Sequence, residues 1–180
     1  MRNRKWSFML LFLCMSIFVV GCEKKDRHRE IEEIYGNVYE HWMEAKILIY
    51  GALIETGQEV TDENGQVYFV VEEPAYQDLE SIRTVLNSAF SAAYIETHLS
   101  WVLGGERPFY KEIDGRLCVA EMDAVGESPT KKVVSILDWK EDQIKIKVAA
   151  DDADDFFEFY EITLVQEENG WVIDQLQEID

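Results

Sequence analysis

Apolar residues recur three and four apart at Ile31, Ile34, Tyr35, Val38, Trp42, Ala45 and Ile49, which predicts one amphipathic helix over residues 29–55. Gly57 and the polar run Thr61–Gly65 end it. The stretch Gly65–Val71 is rich in β-branched and aromatic residues and is bounded by a turn and Pro74, so it reads as a strand. Leu79, Ile82, Leu86 and Phe90 then mark a second amphipathic helix. Ser91 is placed to cap a short third helix reaching Leu103, where Gly104-Gly105 stops it. From there the period changes to two. Phe109–Ile113 and Leu117–Met122 flank Asp114-Gly115, a strong two-residue hairpin signal. Lys131–Trp139 pairs with Gln143–Ala149 across Lys140-Glu141-Asp142, and Phe156–Gln166 pairs with Gly170–Gln177 across Glu167–Gly170. Alternation is clearest at Ile144, Ile146, Val148 and at Ile162, Leu164, Trp171, Ile173. The fold class expected is α+β, with N-terminal helices packed on a C-terminal antiparallel meandering sheet, in a plain or a cone-shaped form.

The N-terminus follows a different logic. Residues 1–7 are basic, and Phe8–Val20 is an apolar stretch of signal-peptide length, short of the roughly 20 residues a membrane span needs. It ends Val19-Val20-Gly21-Cys22, which resembles the bacterial lipobox. In that class of signals the cysteine thiol receives diacylglycerol and the preceding peptide is removed. The alternatives are an ordinary secretion signal or an uncleaved anchor. The lipoprotein reading divides the chain into a signal (1–21), a tether (22–30) and a single α+β domain (31–180). It places the protein on the extracytoplasmic face of a bacterial membrane, held through lipid on Cys22. Cys14 then leaves with the signal, and Cys118 is the remaining thiol, so no intramolecular disulfide and no zinc spacing are expected.

Charge sharpens this division. The whole chain carries a formal −19, but residues 31–180 alone hold 10 Lys+Arg against 33 Asp+Glu, a net −23. Such a body does not bind nucleic acid through its phosphates, because that affinity comes from cations that displace counterions. It also disfavours lying flat on an anionic membrane, although Lys24, Lys25, Arg27 and Arg29 beside the anchor can touch headgroups. What it favours is fast, salt-sensitive encounter with a cationic protein. The other reading is acidity kept for solubility.

Candidate chemistry is sparse. The sequence holds no Gly-x-Ser-x-Gly, P-loop, dinucleotide glycine fingerprint or His-Glu-x-x-His, and nothing in it calls for a cofactor. His28, His41 and His98 are scattered and read as helix-surface polarity. Cys118 reads as a small buried hydrophobe, with a dyad to His41 or His98 as the sharper alternative. The densest acidic run is Asp151, Asp152, Asp154 and Asp155. Calcium would want several converging carboxylates, but the glycine and terminal glutamate of the EF-hand loop are missing. The run therefore reads as a solvated loop between strands and as the candidate electrostatic docking site. Trp42, Trp101, Trp139 and Trp171 read mostly as core anchors.

Three segments also carry a family likeness. GQVYFVVEEPAYQDLESIRTVLNSAFSAAYIETHL, FYKEIDGRLCVAEM and the terminal FYEITLVQEENGWVIDQL together resemble the bacterial IseA-type inhibitors of cell-wall DL-endopeptidases. The likeness covers residues 40–177 and lies in a tyrosine-bearing strand, a helix ending near Phe90-Ser91, a Tyr-x-x-x-Asp-Gly-x-Leu hairpin and a Gly-Trp hairpin. It implies an acidic, non-catalytic protein that docks on NlpC-type cysteine peptidases and obstructs their peptidoglycan-cleaving cleft. No inhibitory residue carries over by position, and the lipobox departs from a freely secreted inhibitor. Comparable elements occur in nuclear-transport-factor-like and cystatin-like domains, where helices and sheet enclose a pocket. The second expectation is accordingly a ligand-binding lipoprotein, and an enzyme comes third.

Overall fold

The structure is a computed structural model that describes residues 4–50, 58–121, 129–150 and 159–179, with side-chain placements from Arg27 onward. Helix α1 runs unbroken from Arg4–Ile49, so the residues read as a tether are helical and continue into the domain. Ile31, Tyr35, Val38, Trp42, Ala45, Leu48 and Ile49 are buried along it, the stripe that the three-and-four spacing requires. Residues 51–55, expected to extend this helix, lie outside the described residues.

The α+β class expected from the sequence is the one observed, but the strands divide between two four-stranded sheets. The first contains β1 (Glu59–Thr61), β2 (Val67–Val70), β3 (Tyr110–Ile113) and β4 (Arg116–Ala120), in the order β1-β2-β4-β3 and antiparallel throughout. Strand β4 sits in the middle, which accounts for the unbroken burial of Leu117 to Ala120. At its hairpin Asp114 and Gly115 take φ of 52° and 71°, the paired left-handed conformations of the tight turn anticipated for Asp-Gly. The second sheet is the expected meander: β5 (Pro129–Trp139), β6 (Gln143–Ala150), β7 (Phe159–Glu167) and β8 (Gly170–Ile179). Ile144, Ile146 and Val148 are fully buried, as alternation predicts. A register shift between Thr163 and Leu164 leaves Asp174 as the extra residue of β8, and the neighbouring Val172 and Ile173 before it are both buried.

Helix α2 (Leu79–Ala89) is capped by Asp78, and α3 (Ala92–His98) by Ser91. A break at Leu99 separates α3 from the single turn α4 (Ser100–Leu103), where one helix to Leu103 was expected. The helical layer serves both sheets: α1 packs on α2 and crosses the second sheet to touch β5 and β8, while α2 and α4 also meet β3. Polar bonds from three residues fix these layers. The Tyr35 hydroxyl donates to the Thr130 carbonyl of β5 at 2.9 Å, and the Tyr110 hydroxyl of β3 donates to the Leu48 carbonyl at 2.8 Å. That carbonyl lies in the last turn of α1 as described. Ser91 accepts from the Tyr94 amide and donates to the Asp174 carboxylate of β8 at 2.7 Å, while its own amide donates to the Ile173 carbonyl.

The turn between β1 and β2 is held by Asp62, whose Oδ1 accepts from the amides of Asn64 and Gln66 and whose Oδ2 accepts from Lys111 at 2.9 Å. Lys111, reaching over from the opposite edge strand, also pairs with Glu63. These bonds, that from Lys111 foremost, hold the Asp62 carboxyl down at about 2 against an ordinary 3.8.

Two expectations follow from this framework. Tyr110→Phe removes the buried hydroxyl that bonds the Leu48 carbonyl, and denaturant unfolding should show a loss of about 1–3 kcal/mol, with native far-UV circular dichroism retained. Because the folded pKa of Asp62 lies below the unfolded one, its contribution is complete above about pH 4 and lost as the pH falls toward 2. Thermal midpoints should drop across that window, and drop less in Lys111→Met. Equal slopes in the two proteins would contradict this.

Candidate functional site: an aromatic cleft

Trp42 and Lys46 of α1 and Tyr50, just past its end, follow one another at four-residue spacing on one face. Phe90 and Tyr94, at the corner between α2 and α3, stand across from them with rings stacked at 4.8 Å and 7°. Tyr160 of β7 and Glu178 of β8 form the sheet side, and Pro129 closes the start of β5. Together these residues line an open cleft of about 590 Å³. Lys46 lies over both neighbouring rings of its helix, with Nζ 5.5 Å from the Trp42 centroid and 5.7 Å from that of Tyr50. This is the arrangement by which an aromatic face holds a cation. Burial, with Tyr50 adding to it, pushes the Tyr94 phenol above its ordinary range, so it stays a neutral hydroxyl. An indole, several phenols, one ammonium and one carboxylate make a surface for binding a side chain or small molecule through ring contact.

The acidic residues Asp151, Asp152, Asp154 and Asp155 themselves lie outside the described residues. The strands that lead into and out of their run do not. Ala149 pairs with Phe159 and Ala150 with Pro129, so the run leaves and rejoins the sheet at the end where Pro129 and Tyr160 line the cleft.

Other residues singled out in the sequence are dispersed. Cys22 falls within the backbone of α1, and its side chain lies outside the described residues. Among the described residues, no helix is long and apolar enough to cross a membrane. Cys118 is fully buried in the central strand β4, next in register to Val70 and Lys111. Its Sγ donates to the Arg116 carbonyl at 3.4 Å, and burial raises the thiol pKa. Both effects oppose a nucleophilic thiolate. His98 packs its ring on Tyr94 at 4.7 Å, and His28 pairs with Glu32 on the helix surface. His41 is exposed and lines a different cleft, between α1, α2 and the β7–β8 turn. Of the tryptophans expected as core anchors, Trp42 is buried, Trp139 and Trp171 are half-buried, and Trp101 is 37% exposed. Trp139 receives the Arg27 guanidinium over its ring at 5.1 Å.

Sequence reasoning named Trp42 but missed Lys46, Tyr50, Tyr94, Tyr160 and Glu178. The Trp-x-x-x-Lys-x-x-x-Tyr spacing was the available signal, because it puts a cation between two rings on one helix face. No protein-family model matches the chain, and no curated protein is significantly similar to it.

The buried thiol gives a direct check. Under native, mildly alkaline conditions an alkylating reagent should label the unaltered protein and Cys118→Ser to the same extent. In denaturant the unaltered protein should take one label more.

Proposed function

We propose that this chain is a lipid-anchored, extracytoplasmic inhibitor or modulator of peptidoglycan DL-endopeptidases that docks electrostatically on a basic, NlpC-type cysteine peptidase. The observation that carries the reading is a juxtaposition. The strand ends that flank the densest acidic run of a body with net −23, Ala150 and Phe159, lie at the end of the sheet where Pro129 and Tyr160 line an aromatic cleft. Acid at the rim speeds and orients the approach of a cationic surface. Rings within the cleft then supply the desolvated anchor that charge alone does not provide, since exposed ion pairs each contribute little. The likeness of residues 40–177 to the IseA-type inhibitors gives the peptidase as the partner, and the lipobox ending at Cys22 gives the membrane as the place of action.

A ligand-binding lipoprotein is the second reading, favoured by the size of the cleft. About 590 Å³ lies within the range of small-molecule sites, and its lining mixes ring surface with a few polar groups.

The first reading is tested with the full chain and a secreted DL-endopeptidase of the same organism. Inhibition without turnover should be measurable at low salt and weaken at least about tenfold when the ionic strength is raised beyond the screening range. Replacing Asp151, Asp152, Asp154 and Asp155 by Asn should weaken it comparably at low salt and flatten the salt dependence. Failure to slow any such enzyme at low salt would sink the proposal. In cells, Cys22→Ser should move the protein out of the membrane fraction.

A further inference from the structure

A second cleft lies further back along α1, and its chemistry differs from everything around it. It is bounded by the α1 face bearing Asn37 and His41, by Asn87 of α2, and by Asn169 and Trp171 at the β7–β8 turn, with a volume of about 580 Å³. Three elements distant in sequence therefore each contribute one carboxamide. The turn positions its pair through Gly170, whose φ of 126° belongs to glycine and sets Asn169 on one side and Trp171 on the other. The hydroxyls of Thr84 and Ser88, also in the lining, donate to carbonyls of their own helix and keep lone pairs available.

The lining contains no Asp, Glu, Lys or Arg among the described residues, in a body whose net charge is −23. His41 is its single titratable group. None of the three carboxamides hydrogen-bonds another described residue, so each has an acceptor and two donors open to a ligand. Trp171 is half-buried and stacks on no other described ring.

These features select a ligand class. An anionic ligand would meet an acidic body with no cation in the cleft to compensate. An apolar ligand would strand the amides. A cation would find no carboxylate. A neutral sugar satisfies all three conditions. Its vicinal hydroxyls are both donors and acceptors, matching carboxamides, and the C–H face of a pyranose ring fits an indole. We infer that the cleft between α1, α2 and the β7–β8 turn binds a neutral saccharide, with a pyranose stacked on Trp171 and hydroxyls held by Asn37, Asn87 and Asn169. This inference is independent of the docking proposal, which concerns the cleft at the C-terminal end of α1.

The test is isothermal titration of the full chain, in a detergent without a sugar headgroup, with fully N-acetylated chitotetraose, cellotetraose, maltotetraose and tetragalacturonate. At least one neutral tetrasaccharide should bind saturably, and tetragalacturonate at least about tenfold more weakly. Preference for chitotetraose over the other two would assign an amino sugar; equal or reversed preference would assign a plain hexose. Trp171→Ala should lower affinity about tenfold or more. The exposed double variant Asn37→Ala/Asn87→Ala, which makes no internal bond, should lower it roughly three- to tenfold with an unchanged thermal midpoint. This second variant decides the question where Trp171→Ala fails to fold. Absence of binding by all three neutral sugars would overturn the inference, as would equal binding of the anionic one or full affinity in the double variant.

Discussion

Two buried tyrosine hydroxyls hold this molecule together in the sense that the rest of its architecture is arranged around them. Tyr35 ties α1 to the second sheet and Tyr110 ties the first sheet to the last turn of the same helix. A phenol in the interior is costly without a partner, and burial keeps both hydroxyls protonated far above their ordinary range. Each bond therefore fixes a rotation and a depth, where apolar packing alone would tolerate sliding. The two sheets share no strand, so the helical layer, α1 on β5 and β8 with α2 reaching both β3 and β8, decides how they face one another. Both clefts use α1 as a wall, and their shapes inherit that constraint.

The two clefts show what the acidic body does with its exceptions. One combines rings with an ammonium and a carboxylate at the end of the sheet where Pro129 and Tyr160 lie. The other has no Asp, Glu, Lys or Arg in its lining among the described residues, and sets amides, hydroxyls, an imidazole and an indole among aliphatic side chains. A surface with a strong field repels or attracts most molecules before contact. A neutral hollow in that surface is indifferent to the field and discriminates by hydrogen-bond pattern. The two can operate at once without competing for the same chemistry.

Local features were the most legible in the sequence. The stripe from Ile31 to Ile49, the cap at Ser91, the Asp114-Gly115 turn and the alternation around Ile146 each depend on residues a few positions apart. The division of strands into two sheets was hidden because pairing is a long-range property. The alternation of Val67–Val70 is the same whether its neighbour is β4 or any other strand. The recipients of the tyrosine hydroxyls are backbone carbonyls, which no sequence position distinguishes. The uncharged cleft was hidden for a related reason. Asn37, Asn87 and Asn169 are ordinary surface residues until three separate elements bring them together, and only the Gly-Trp pair after Asn169 hinted at a turn with a purpose.

The unbroken course of α1 has a mechanical meaning. A flexible tether from Cys22 to the first buried residue, Ile31, would let the domain sample a hemisphere of positions above its anchor. A helix over the same residues rises only about 1.5 Å per residue, so it is a short strut of roughly 14 Å. With lipid on Cys22, the body would stand close to the bilayer with its orientation restricted, because the strut is the same element that both sheets grip. So anchored, the protein would work at a fixed height. Molecules passing through the layer next to the membrane would then meet its clefts, and those confined to an outer wall would not.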